Sequence, residues 1–202
     1  MARDQRVEIL KELEQKNKSH IITYITGDRQ YFNARIAEDA VRILYDHLLK
    51  IHSSSERKNR IDLFLYSRGG DVSVPWRGIT TIREFCDEFA VLIPYKAHSA
   101  ATMISLGADK IVMGKKAELS PIDPSLVRQI TGETSVPPAE ISVEDVSSFI
   151  SFVKERANIN DQSALAQLVS LLAQNLTPLV LGSVNRQYSH IRLVARKLLA
   201  LH

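Results

Sequence analysis

Cysteine is almost absent from this chain. Cys86 is the only one in 202 residues, so neither an intrachain disulfide nor a cysteine-based zinc site can form. A single thiol reads as a small buried hydrophobe. Long apolar runs are missing too: no uninterrupted stretch approaches the roughly 20 residues that span a bilayer. Met1 to Lys18 is charged throughout and carries no apolar signal core, so a cytoplasmic protein is expected. Charge of one sign is also scarce. Lys and Arg number 26 against 23 Asp and Glu, and the resulting +3 is spread along the chain. The basic residues near the C-terminus (Arg186, Arg192, Arg196, Lys197) lack a base-reading motif, so no nucleic-acid partner is expected.

Several chemical signatures are absent as well. The chain has no HExxH, no paired CxxC, no Walker glycine-lysine loop and no GxGxxG after a strand, which leaves metal, nucleotide and dinucleotide cofactors without support. The GxSxG elbow of α/β-hydrolases is missing too.

What is present is an ordinary globular composition, 45% hydrophobic and 24% charged, at a length that fits a single domain. Three parts are expected within it: a helix–strand–helix start (1–60), a core (61–125) and a helical end (142–202). Gln5–Gln15 reads as a helix, His20–Thr26 as a β-branched strand and Ile36–Ile51 as a long helix of three- and four-residue apolar spacing. Ile61–Tyr66 and Ala90–Tyr95 are short apolar strands, with a helix over Val74–Phe85 between them. A helix over Ala100–Gly107 and a strand at Lys110–Met113 follow. Strands and helices alternating at this spacing predict an α/β fold with a parallel sheet covered on both faces. Thr131–Glu140 reads as a turn-rich loop. Helices are expected over Val143–Arg156 (capped by Ser142 with Asp145), Ser163–Gln174 and Gln187–Leu201.

Two turns carry candidate chemistry. Ser67-Arg68-Gly69-Gly70-Asp71 follows a buried strand, and adjacent glycines there permit unusual backbone angles and leave amide groups uncovered. His98-Ser99-Ala100-Ala101-Thr102 follows the next strand and opens a helix. Taken alone, Gly69-Gly70 is a tight turn and Ser99 an ordinary helix N-cap. Taken together, they lie at the C-terminal ends of successive parallel strands, where open α/β sheets form their ligand crevice. They then offer a serine nucleophile, with the Ala100 amide and uncovered main-chain N–H groups of the glycine turn as donors to an oxyanion, aided by the helix dipole. Tyr188, His190 and Arg192 read as packing and solvent contacts.

The segments YSRGGDV and KAHSAATMISLGADKIVMGKKAELSPIDP resemble the diglycine turn, the nucleophile helix and the following strand of the Clp protease subunit and of signal peptide peptidase A. LGADKIVM, LSPIDP, SVEDVSSFISFVKER and VNRQYSHIRLVARKLL are similar to segments of the serine dehydrogenase proteinase family, a branch of the ClpP-class serine peptidases. The resemblance covers roughly Ile61 to Leu199. It implies a ClpP/crotonase-like spiral of strand-strand-helix units, homo-oligomeric assembly partly through C-terminal helices, and polypeptide substrates that include membrane-protein segments. It assigns Ser99 as nucleophile and Gly69, Gly70 and Asp71 to the oxyanion and substrate-binding turn.

The base stays open. Asp123 stands where the Clp subunit carries a histidine. Lys154 lies 55 positions after Ser99, a distance comparable to that of the signal peptide peptidase lysine. His98 points away from Ser99 if the backbone is extended, and a neighbouring subunit could donate a group. The main expectation is a serine endopeptidase using Ser99 and Lys154. An inactive oligomeric or peptide-binding scaffold is the alternative, and a crotonase-type acyl-thioester activity is a third reading.

Overall fold

The computed structural model describes residues 2–29, 32–54, 59–122, 125–127, 140–175 and 178–202. The expected turn-rich loop at 131–140 falls outside these apart from its last residue, and so does Asp123. The chain divides into two compact units, one made of residues 1–122 with 194–202 and the other of 123–193.

The first unit opens with α1 (Arg3–Asn17), β1 (His20–Ile25) and a small antiparallel pair, β2 (Asp28–Arg29) and β3 (Phe32–Asn33). Next come α2 (Asp39–His52), β4 (Arg60–Tyr66), α3 (Val74–Arg83), β5 (Glu88–Ile93), β6 (Lys96–Ala97), α4 (Ala100–Leu106), β7 (Lys110–Met113) and β8 (Glu118–Leu119). Strands β1, β4, β5 and β7 form one parallel sheet in that order, and β6 pairs with β8, also in parallel. Strand–strand–helix units are therefore the building blocks, as expected of the α/β spiral.

The sheet interior follows from the apolar runs. Ile22, Leu63, Val91 and Ile111 lie in one row across the four strands, and Leu63 and Val91 are buried with Leu65, Ile79, Ile82 and Met103. The last helix returns Val194 and Leu198 to this core. Cys86 packs against it, and partial burial pushes its thiol up to about 11, which keeps it protonated and unreactive at neutral pH.

The sheet departs from expectation at its edge. Both faces of β7 were expected to be covered, but Ile111, Val112 and Met113 are 39%, 51% and 43% exposed. The helix expected from Ile36 begins at Asp39 instead, because Ile36 is held in a parallel bridge with Gly70. Its apolar side chain, 1% exposed, fits the helical spacing while its backbone belongs to the sheet side. The strand expected to reach Tyr95 ends at Ile93, and Pro94-Tyr95 separate it from β6.

Asp62 is a carboxylate sealed in the middle of the sheet at 0% exposure. It accepts from Arg60 Nε (2.6 Å), Asn17 Nδ2 (2.7 Å) and Ser19 Oγ (2.9 Å), so the end of α1 and the link into β1 are tied to β4 through one carboxylate.

The second unit contains an antiparallel pair, β9 (Ser125–Val127) and β10 (Glu140–Ser142), then α5 (Val143–Ser151), a π-helical segment (Phe152–Arg156) and α6 (Gln162–Asn175). The single helix expected over Val143–Arg156 thus changes its hydrogen-bond pattern at Phe152. The side chain of Ser142, expected as a cap, lies outside the described ones. The final helix, α7 (Pro178–Leu199), starts nine residues before the expected Gln187, with proline at its first position, where the missing N–H is not needed. Arg192 donates to the Tyr188 hydroxyl (3.1 Å) one turn away. Among the described residues, no single helix is long and apolar enough to cross a membrane.

Replacing Asp62 with alanine strips the acceptor from three buried or half-buried donors. Urea denaturation is expected to show a loss of about 3 kcal/mol, at the lower end for a broken buried ion pair because Arg60 keeps Glu88 (3.3 Å) as a second partner.

Candidate functional site

The two candidate turns meet. Ser67 stands at the end of β4, fully buried, and is joined to the β6 segment by reciprocal backbone bonds: Ser67 N–H to the Lys96 carbonyl (2.9 Å) and His98 N–H to the Ser67 carbonyl (3.0 Å). The Ser67 hydroxyl accepts from Thr26 Oγ1 (2.9 Å) and from the Gly69 amide (3.0 Å). This lashes the diglycine turn down against the strand that leads to Ser99.

Glycine is required there for a specific reason. Gly69 has φ +102°, and a methyl group on it would sit 2.7 Å from the His98 carbonyl oxygen and 2.8 Å from Ser99 Cβ. At Gly70 a methyl group would lie 2.2 Å from the Ile36 carbonyl oxygen. The turn is thus clasped between Ile36 on one side and the His98-Ser99-Ala100 backbone on the other.

Ser99 itself is strained. It sits at the N-cap position of α4 with φ +52° and ψ −115°, and its side chain makes no capping hydrogen bond. A cap residue normally keeps an extended backbone and lends its oxygen to the helix, so the plain cap role is not what the geometry shows. A non-glycine residue in this region costs on the order of 1–3 kcal/mol and persists only where its surroundings impose it. Among the described residues the Ser99 hydroxyl has no hydrogen-bond partner, and the residue is half-buried.

The backbone donors sort themselves. Asp71 N–H, expected to be an oxyanion donor, is committed to the Ile36 carbonyl at 2.8 Å. Gly69 N–H is committed to Ser67 Oγ. The amides of Gly70 and Ala100 have no partner among the described residues. Four expected positions thus reduce to two free N–H groups, one on each turn. The Asp71 carboxylate accepts from the amide (2.9 Å) and hydroxyl (2.7 Å) of Ser73, ordering the approach to α3.

Three titratable groups lie close to the turn in sequence or space. His98 Nε2 is 3.1 Å from Glu118 Oε1, and Lys96 Nζ is 3.6 Å from the same oxygen. Lys154 belongs to the second unit, on the π-helical segment, with an exposed side chain. Sequence reasoning missed Ser120, whose hydroxyl accepts from the Ser99 amide at 2.8 Å. A small residue in LSPIDP gave no sign of that contact. A separate apolar cavity of about 230 Å³ lies between β1, α2 and α3, lined by residues such as Ile22, Leu44 and Val74, and none of its lining residues comes from either turn.

The geometry now has relatives to stand beside. A family model described as ClpP-like SDH-type serine proteinase matches residues 1–139. The match starts earlier than the expected Ile61 and stops before the segments around Lys154 and α7. An uncharacterized protein of Methanocaldococcus jannaschii is 30% identical over 123 residues, covering 60% of this chain and 43% of that protein. The chain therefore aligns with less than half the length of that relative. Among solved structures, a mutant of the 1510-N membrane-bound stomatin-specific protease aligns at 15% identity and a TM-score of 0.47 over 69% of this chain and 62% of that one. The ClpP protease catalytic domain from Plasmodium falciparum aligns at 14% identity and a TM-score of 0.38 over 55% and 60%.

Gly69→Ala should cost about 1–3 kcal/mol of stability, the scale of an imposed positive-φ strain, because the added methyl collides with backbone rather than with a movable side-chain end. Denaturant midpoints check this; an unchanged midpoint would mean that the turn is not clasped as described.

Proposed function

We propose, from the premise that this chain belongs to the ClpP-like SDH-type serine proteinase family, that it is a serine peptidase acting on polypeptides through Ser99. The observation that carries the reading is the pairing of an unpartnered, strained serine hydroxyl with two uncommitted amides, Gly70 and Ala100, on turns that touch. Acyl transfer needs this division of labour. The Ser99 oxygen attacks the scissile carbonyl. The carbonyl oxygen gains negative charge, which the two N–H groups stabilise because they were not engaged beforehand. A base accepts the serine proton and returns it to the leaving amine.

We assign the base to Lys154 on its separation from Ser99 along the chain. A group from a neighbouring copy in a homo-oligomer is the competing source. His98 is less suited: Glu118 takes its Nε2, and among the described residues its ring makes no hydrogen bond with the Ser99 hydroxyl.

The second reading is a silent scaffold that keeps the fold and binds peptides. What favours it is that, among the described residues, no titratable group lies within hydrogen-bond distance of the Ser99 hydroxyl.

The assembled protein should form a single covalent adduct with a fluorophosphonate probe, and Ser99→Ala should abolish it. Lys154→Ala should slow adduct formation by roughly 10²- to 10⁴-fold, the range general bases contribute. A wild-type protein that stays unlabelled while binding peptide would favour the scaffold. A Lys154→Ala protein that labels at the full rate would move the base elsewhere.

A further inference from the structure

We infer that Ser120 is the positioning residue of this site, holding the Ser99 backbone in its strained conformation from just past the end of β8; the inference deepens the peptidase reading and rests on it. Ser99 N–H donates to Ser120 Oγ at 2.8 Å, and Ser120 Oγ lies 2.8 Å from the Pro121 carbonyl oxygen. A hydroxyl has one proton. Here it goes to Pro121, so the oxygen lone pairs face Ser99, and the arrangement is directional: Ser99 amide to Ser120 oxygen, Ser120 proton to Pro121 carbonyl.

Ser120 is itself anchored to both flanks of the nucleophile. Its amide donates to Thr102 Oγ1 (3.2 Å), while the Thr102 hydroxyl donates to the Ala97 carbonyl (2.7 Å), the shorter of its two carbonyl contacts. Leu119, the residue before it, pairs with Ala97 across β6 and β8. The acceptor that holds Ser99 is therefore tied to Ala97, two residues before it, and to Thr102, three residues after it.

The consequence is chemical. With its amide turned onto Ser120, Ser99 is kept in the positive-φ conformation and its own N–H is not an oxyanion donor. The next amide, that of Ala100, is left unpartnered. Without the Ser120 oxygen, the Ser99 amide has no acceptor, and the contact that holds it directly at positive φ is lost, which favours relaxation toward negative φ. Relaxation would swing the hydroxyl away from the diglycine turn. Ser120 touches no reacting atom; it acts through Ser99.

The test uses the full chain with Ser120→Ala and Ser120→Thr. Against a fluorophosphonate, Ser120→Ala should lower the maximal inactivation rate constant about 100-fold, the loss expected for a reacting group displaced by about 1 Å. The concentration for half-maximal rate should stay unchanged, and Ser120→Thr, which keeps the hydroxyl, should restore the rate to within about threefold. A Ser120→Ala protein that inactivates at the wild-type rate overturns the inference while leaving the peptidase reading intact. A second measurement does not depend on activity. Hydrogen exchange at the Ser99 amide, read by NMR, should lose protection at least tenfold in Ser120→Ala and keep it in Ser120→Thr. Unchanged protection overturns the inference. An unlabelled wild type with a protected Ser99 amide would overturn the peptidase reading and leave the Ser120 contact standing.

Discussion

The structure around the site depends on one constraint: Ser99 is held at φ +52° although it is not glycine. An L residue pays a steric penalty there, and only neighbours that occupy its amide and crowd its flanks can maintain it. Ser120 takes the amide, the Gly69-Gly70 turn presses on the side-chain face, and the bonds between Ser67 and the Lys96 and His98 backbone fix the approach. The contacts come from the ends of three strands, β4, β6 and β8. The fold serves the site in that sense: the end of β4, from the four-stranded sheet, and the ends of β6 and β8, a separate parallel pair, come to one place, where their connecting turns define a serine that no local sequence could hold alone.

The same arrangement explains why the oxyanion donors are fewer than the sequence suggested. Ile36 bridges Gly70 by accepting from Asp71 and donating to the Gly69 carbonyl (3.0 Å). This bond secures the turn at the expense of one amide. The diglycine turn is therefore rigid on its Ile36 side and open on its Ser99 side, which suits electrostatic stabilisation because preset donors need no reorganisation as charge develops. With Gly70 and Ala100 on separate turns, small shifts in either turn change both the distance and the direction of the pair.

Much of this was legible in the residues. The apolar runs IDLFLY and AVLI mark buried parallel strands, and the glycine pair after the first marks a close backbone approach; both appear in the structure where the pattern puts them. The fate of individual amides was not legible, because a hydrogen bond from Asp71 to Ile36 joins positions 35 residues apart and leaves no trace in composition. Ile36 misled for the same reason, its side chain matching a helical face while its backbone pairs with Gly70. The strain at Ser99 was hidden too, since positive φ is usually signalled by glycine or asparagine and here is enforced by tertiary contacts. Ser120 carried no signal of its role, because its contact with the Ser99 amide joins positions 21 residues apart. The base was not readable from the residues, and among the described residues the Ser99 hydroxyl has no hydrogen-bond partner from which to read it.

The central claim is that Ser99 Oγ faces a carbonyl oxygen site made by Gly70 and Ala100. A crystal structure of the protein inactivated by a peptidyl phosphonate tests it most directly, because the phosphonyl oxygen mimics the oxyanion. The account predicts phosphorus bonded to Ser99 Oγ and that oxygen within about 3.2 Å of both amides, with Ser99 still at positive φ. Phosphorus on another residue, or an oxygen directed to solvent away from Gly70, would contradict it.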